Sequence, residues 1–218
     1  MQITVKTAME IVSHEAIVRE MYLDSVGVQT WSVGVTDATG HRVARYKDNP
    51  QTLERCLEVF IWALETRFAP GVRHAFDGLS LTEAQFAAAL SFHYNTGGIQ
   101  RAVWPKLWKD GNEEDAYVAF MNWSRPPEII PRREKERDLF FEGKWTSDGM
   151  ATEYQVSKPS YRPDWKSGKR VDIESVLKGL IVPAPPPDVP LAPADDWVTV
   201  TIPADAARDL KKALAGVK

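Results

Sequence analysis

Glu15, Asp24 and Thr30 stand close together near the start of the chain, with eight residues between the first pair and five between the second. A carboxylic acid, a second carboxylate and a hydroxyl brought to one place can cut a glycosidic bond. One group protonates the leaving oxygen, and the other two hold and activate water.

The surrounding pattern says which elements must position them. Residues 7–15 read as a short amphipathic helix, with Thr7 as N-cap and Glu10 as its capping-box partner. Glu15 then falls in the last turn of that helix. Residues 19–36 read as a β-hairpin rich in Val, Tyr, Thr and Trp, broken at Ser25-Val26-Gly27. A turn centred near Gly27 places Asp24 directly across from Thr30, at a cross-strand Cβ spacing of roughly 4.5–5.5 Å. From Asn49-Pro50 onward the periodicity is helical. The expected helices are 51–68, 82–92, 100–109, 113–123 and 131–142, separated by Pro70-Gly71, Thr96-Gly97-Gly98, Asp110-Gly111 and Arg125-Pro126-Pro127. Thr82 and Gln85 form a second capping box. The fold class is α+β: a small β-hairpin lobe beside a larger helical lobe, with an active-site cleft between them.

The 218 residues are 44% hydrophobic and 26% charged, with a net charge of −3. That balance argues against nucleic acid as a partner. The single cysteine, Cys56, sits in a helical pattern and reads as a small core residue, which fits a cytoplasmic fold without disulfides. Lys6, Glu10 and His14 interrupt the N-terminus, so no signal peptide is expected, and no apolar run reaches the roughly 18 residues of a membrane span. The four histidines show no metal-ligand spacing, and there is no phosphate-cradling glycine loop; no metal or cofactor is expected. Most of the eight tryptophans should be core, Trp31 among them.

The stretch from His14 to Thr36 resembles the active-site segment of phage-type lysozymes, glycoside hydrolase family 24. That family uses Glu, eight residues, Asp, five residues, Thr. Tyr22, Gly27 and Gly34 support the likeness. SFHYNTGG, residues 91–98, resembles the family's Ser-Phe-x-x-Asn-x-Gly helix end, and RRxxExxLF, from Arg132 to Phe140, resembles its late motif. The resemblance covers about residues 5–145. It implies hydrolysis of the bond between N-acetylmuramic acid and N-acetylglucosamine in peptidoglycan, with inversion. Glu15 would be the general acid, and Asp24 and Thr30 would position the water. It also implies that an arginine of the late helix reaches the catalytic glutamate. By position after Pro131 that arginine is Arg133. Asn95 is a candidate for helix capping or sugar contact. Many members carry a Gly-x-Gly-His run after the threonine. Here the run is Trp31-Ser32-Val33-Gly34-Val35-Thr36, so the hairpin shape and its sugar contacts should differ. His14, just before Glu15, is expected to make a local hydrogen bond.

The resulting expectation is a monomeric endolysin with peptidoglycan glycan strands as its partner and no stable membrane insertion. It would stay in the host cytoplasm until a separate holin releases it, and then act in the periplasm on the wall. A lytic transglycosylase is the first alternative; it needs an acid but no carboxylate to position water. A non-catalytic wall-binding or virion module is the second. The catalytic domain is expected to run over 1–182, with an irregular segment from 146. Within it, residues 157–170 carry five basic groups against one acid and read as a solvated loop packed by Tyr161 and Trp165, or as a contact for an anionic polymer. Residues 183–193 hold six prolines and read as a semi-rigid linker. Residues 194–218 read as a short extension ending in a helix.

Overall fold

The computed structural model describes residues 1–181. The linker expected at 183–193 and the extension expected at 194–218 lie outside the described residues.

The first helix, α1, runs Val5–Ser13, and its N-cap is Thr4, whose hydroxyl oxygen accepts from the Thr7 amide at 3.1 Å. The expected box between Thr7 and Glu10 does not form, because both side chains turn inward and are buried. Glu10 accepts from the amides of Thr146 at 3.0 Å and Ser147 at 2.9 Å, and from the Thr146 hydroxyl at 2.6 Å. His14 is the C-cap. Glu15 therefore sits in the link after the helix, not in its last turn.

Three strands follow: β1 (Ala16–Leu23), β2 (Gln29–Ser32) and β3 (Val35–Thr36). The expected antiparallel hairpin is present, but its register differs. Tyr22 pairs with Thr30 and Leu23 with Gln29, and the Asp24 amide donates to the Val28 carbonyl at 3.0 Å. Asp24 thus faces Val28 instead of Thr30. The cause is Asp24 itself. Its Oδ1 accepts from the amides of Val26 at 3.0 Å and Val28 at 2.8 Å, and its carbonyl accepts from Gly27, so it draws the turn toward itself. The offset is two residues, and side chains alternate with period two. Tyr22, Asp24 and Thr30 therefore keep to one face.

Two strands far along the chain complete the sheet: β4 (Met150–Ser157) and β5 (Arg162–Asp172), in the order β3-β2-β1-β4-β5. β4 runs parallel to β1, with Ala16 opposite Thr152 and Val18 opposite Tyr154. Most of the segment expected to be a basic loop is thus the outer strand of the sheet. Pro163 and Gly168 disguise it. An edge strand tolerates a missing donor, and residues 165–168 fall where the β4–β5 register shifts. Trp165 does not pack the segment inward. It is 66% exposed and meets Tyr154 edge-on at 4.9 Å.

The helical lobe starts at α2 (Leu53–Ala63) and continues through a π-helical turn, Leu64–Phe68, into α3 (Ala69–Ala75). Pro70-Gly71 is not a break. Pro70 comes directly after the π-helical turn, at the start of α3, where the helix changes its hydrogen-bond spacing. Gly71 serves close packing, since a Cβ there would lie 2.7 Å from His93 Nε2. Next come α4 (Glu83–Thr96), α5 (Trp104–Lys109), α6 (Glu113–Phe120), α7 (Ile130–Glu142) and α8 (Glu174–Leu180). The Thr82–Gln85 capping box on α4 is present in both directions. The lobe is built around Trp104, whose ring centroid lies 4.6–5.8 Å from those of Phe76, Phe92, Phe120 and Phe140. A second cluster packs between the sheet and α2, joining Met21, Trp31, Val35, Val43, Tyr46, Cys56 and Val59. Trp31 is core, stacked on Tyr46 at 3.8 Å, and so is Cys56, whose burial pushes its thiol up to about 12. No described helix is long and apolar enough to cross a membrane.

Candidate active site

Glu15 stands between the end of α1 and the start of β1, with its side chain 21% exposed. Its Oε1 accepts from Arg132 Nη1 at 2.5 Å. Its Oε2 faces Gly34, where a Cβ would come within 3.9 Å of it and within 3.5 Å of the Tyr94 hydroxyl. Gly34 has φ +81°, a left-handed conformation that glycine adopts freely. The β2–β3 turn can therefore pass close beside the carboxylate. The Tyr94 hydroxyl donates to the carbonyl of the neighbouring Val33, tying that turn to α4.

The arginine that reaches Glu15 is Arg132, not Arg133. A helix turns about 100° per residue, so adjacent arginines on α7 leave it in different directions. Arg132 points toward Glu15 and also donates from Nε to Glu136 Oε1 at 2.9 Å. Arg133 is fully buried and points toward α4. It bonds Glu136 Oε2, donates to Asn95 Oδ1 at 2.6 Å and to the Trp123 carbonyl at 3.3 Å, and lies over the Phe92 ring at 4.7 Å. Glu136 sits one helical turn on from both. Each of its oxygens takes a different arginine, and the Ser91 hydroxyl donates to Oε1 at 2.6 Å. The Arg-Arg-x-x-Glu spacing is thus one buried charge network that presents a single guanidinium to the site.

Electrostatics ties the remaining residues together. Tyr22 has its pKa raised by burial first, and then by the negative charges of Glu15 and Asp24. Tyr94 is raised by burial, by Glu15 and by Tyr22, against the opposing charge of Arg132. Burial works against the charge on Arg132, but Glu15 and Glu136 outweigh it and raise its pKa. Tyr22 thus feels both carboxylates, and Tyr94 that of Glu15. Thr30 is buried, and its hydroxyl donates to the Val28 carbonyl at 3.1 Å, which leaves its oxygen lone pairs for another partner. His14 is also buried, and its Nε2 lies 3.7 Å from Glu10 Oε1, beyond a hydrogen bond.

Asn95 does not cap α4, which ends on Gly97 at φ +59°. It lines a groove of about 420 Å³ with Thr96, Asn122, Trp123, Arg125 and Pro126. A carboxylate held by one guanidinium, and a hairpin with a carboxylate and a hydroxyl on one face, fit acid-assisted attack by water on a sugar.

Three motifs that the sequence singles out meet here: the Glu-Asp-Thr stretch, the Ser91–Gly98 block and the start of the Arg132–Phe140 block. Residues 12–136, which contain the first two and the Arg132–Glu136 part of the third, match the phage lysozyme family. The chain belongs to the phage lysozyme family. That assignment makes it a peptidoglycan-lytic lysozyme in broad class. Among solved structures, this phage lysozyme is similar to an endolysin from Escherichia coli O157:H7 phage FAHEc1, with 23% identity and a TM-score of 0.61, covering 67% of this chain and 98% of that one. It is similar to a P22 lysozyme mutant, with 25% identity and a TM-score of 0.54, covering 65% and 99%. It is also similar to the muramidase domain of SpmX from Asticaccaulis excentricus, with 20% identity and a TM-score of 0.54, covering 64% and 97%. No curated protein matches the chain. The family match ends at residue 136, so β4, β5 and α8 lie beyond it.

Proposed function

We propose that the protein hydrolyses the β-1,4 bond between N-acetylmuramic acid and N-acetylglucosamine, with inversion, as an endolysin for host-cell lysis. The observation that carries this reading is the division of labour on Glu15. Arg132 occupies Oε1, which leaves Oε2 as the oxygen from which this acid would deliver a proton to the glycosidic oxygen. Asp24 is oriented through Oδ1 by two backbone amides, which leaves Oδ2 to accept a proton from water. The Thr30 oxygen holds the same water. An inverting enzyme needs space for that water, roughly 6.5–9.5 Å between the carboxyl groups. Asn95, with its oxygen fixed by Arg133, offers its amide N–H to a sugar in the adjoining groove.

The enzyme would act on the wall as a monomer after release by a separate holin. Mass spectrometry of digested sacculi tests the chemistry. Reducing muramic acid ends are expected, whereas anhydro-muramyl ends would show transglycosylation.

A further inference from the structure

We propose that the β4–β5 hairpin, which lies beyond the family match, is a positioning device for Asp24 that acts through Arg162. The proposal rests on the reading of Asp24 as the carboxylate that activates water.

The hairpin grips β1 along its length and ends at the site. At the start of β1 the grip is the parallel ladder from Ala16 to Val18. Next, Arg19 donates through Nε and Nη2 to Glu153 Oε2 at 2.9 and 2.7 Å. Lys158 then bonds Glu20. At the far end the Leu23 amide donates to the Tyr161 carbonyl at 2.6 Å, and Arg162 Nη1 donates to the Asp24 carbonyl at 3.1 Å.

The turn that makes the last two contacts is itself held in place. Tyr161 has φ +55°, a conformation tyrosine seldom adopts. Its hydroxyl donates to Asp48 Oδ2 at 2.8 Å, and Lys158 bonds Asp48 Oδ1 at 2.5 Å. Lys158 and Lys47 both lie over the Tyr161 ring, at 4.2 and 4.5 Å. Asp48 lies two residues after Tyr46, which is buried in the cluster between the sheet and α2, so the turn is anchored to the body of the protein.

Asp24 needs such a brace. Its side-chain hydrogen bonds come only from amides of its own turn, at the tip of the β1–β2 hairpin beyond the last ladder pair. If that main chain moves, the carboxylate moves with it. A displacement of about 1 Å at a reacting group can cost on the order of 10²-fold in rate. Arg162 is exposed and bonds a carbonyl instead of a buried charge, so its loss should disturb the rate more than the fold.

The test is a double-mutant cycle on the full chain, using soluble uncrosslinked glycan strands and reading kcat, KM and Tm. Arg162→Ala should lower kcat by roughly tenfold while KM stays within about twofold and Tm holds. Arg162→Lys should restore most of kcat, because an ammonium can donate to the same carbonyl. In the Asp24→Asn background, Arg162→Ala should add almost nothing. If the two losses multiply, or if Arg162→Ala leaves kcat unchanged while Asp24→Asn abolishes it, the positioning role is wrong and the hydrolase reading stands. If Asp24→Asn retains the wild-type kcat, both fail.

Discussion

Arg132 Nη1 lies 2.5 Å from Glu15 Oε1, joining α7 to the link after α1 across 117 residues of sequence. The same guanidinium is bonded to Glu136. The glutamate that is proposed to work is therefore fixed by a second glutamate that is buried and committed to structure.

Arg132→Ala should slow lysis at least tenfold and destabilise the fold by about 3–5 kcal/mol, because Glu136 loses one of its two arginine partners. Rates on soluble glycan and thermal melts measure the two effects. Arg132→Lys should recover less than half of the loss, since one ammonium cannot reach Glu15, Glu136 and Ser91 together.

Arg133→Met separates stability from catalysis. Arg133 touches Glu136, Asn95 and Trp123 but not Glu15. It should lower stability by a similar 3–5 kcal/mol, while kcat measured well below the melting point falls less than in Arg132→Ala. A larger kcat loss at position 133 than at position 132 would reverse the assignment.

Gly34→Ala should destabilise by about 1–2 kcal/mol, because φ +81° is unfavourable for alanine even though the space beside it allows ordinary contact. The added methyl also meets the Glu15 and Tyr94 oxygens. Activity should therefore fall by more than the change in folded fraction explains, as parallel melts and rates would show.

Glu10 sets an acid limit on stability. Burial alone would raise its pKa, but His14, Thr146 and Ser147 outweigh burial and lower it from 4.5 to about 2. A depressed carboxylate contributes its full stability above the unfolded value and loses it as the pH falls. Unfolding free energy should thus decline between about pH 4.5 and pH 2, by on the order of 3 kcal/mol from this group. Glu10→Gln should be less stable at pH 7 and show a shallower decline over that window in denaturant titrations.

Placement was legible where it depends on local spacing. That Asp24 and Thr30 share one face of a hairpin just after Glu15 could be read directly, because the three lie close in sequence. The Thr82–Gln85 box was equally plain, since capping is local. What was misread depends on phase or on distant partners. Hairpin register turned on the side chain of Asp24 closing its own turn. The choice between Arg132 and Arg133 turned on a 100° step that no spacing from Pro131 reveals. Pro70-Gly71 imitates a break, because first-turn proline and close-packed glycine use the residues of a turn. β4 and β5 stayed hidden because their partner β1 lies more than a hundred residues earlier. Tyr94 lies inside the Ser91–Gly98 motif, but only the fold shows its hydroxyl beside Gly34 together with Glu15.

The most direct test of the central claim is the clearing of chloroform-treated Gram-negative cells by Glu15→Gln, beside wild type at equal folded concentration. Loss of a general acid should slow clearing by about 10²–10⁴-fold with the melting temperature largely kept. Equal clearing by the two proteins would contradict the assignment of Glu15 as the proton donor, and with it the mechanism.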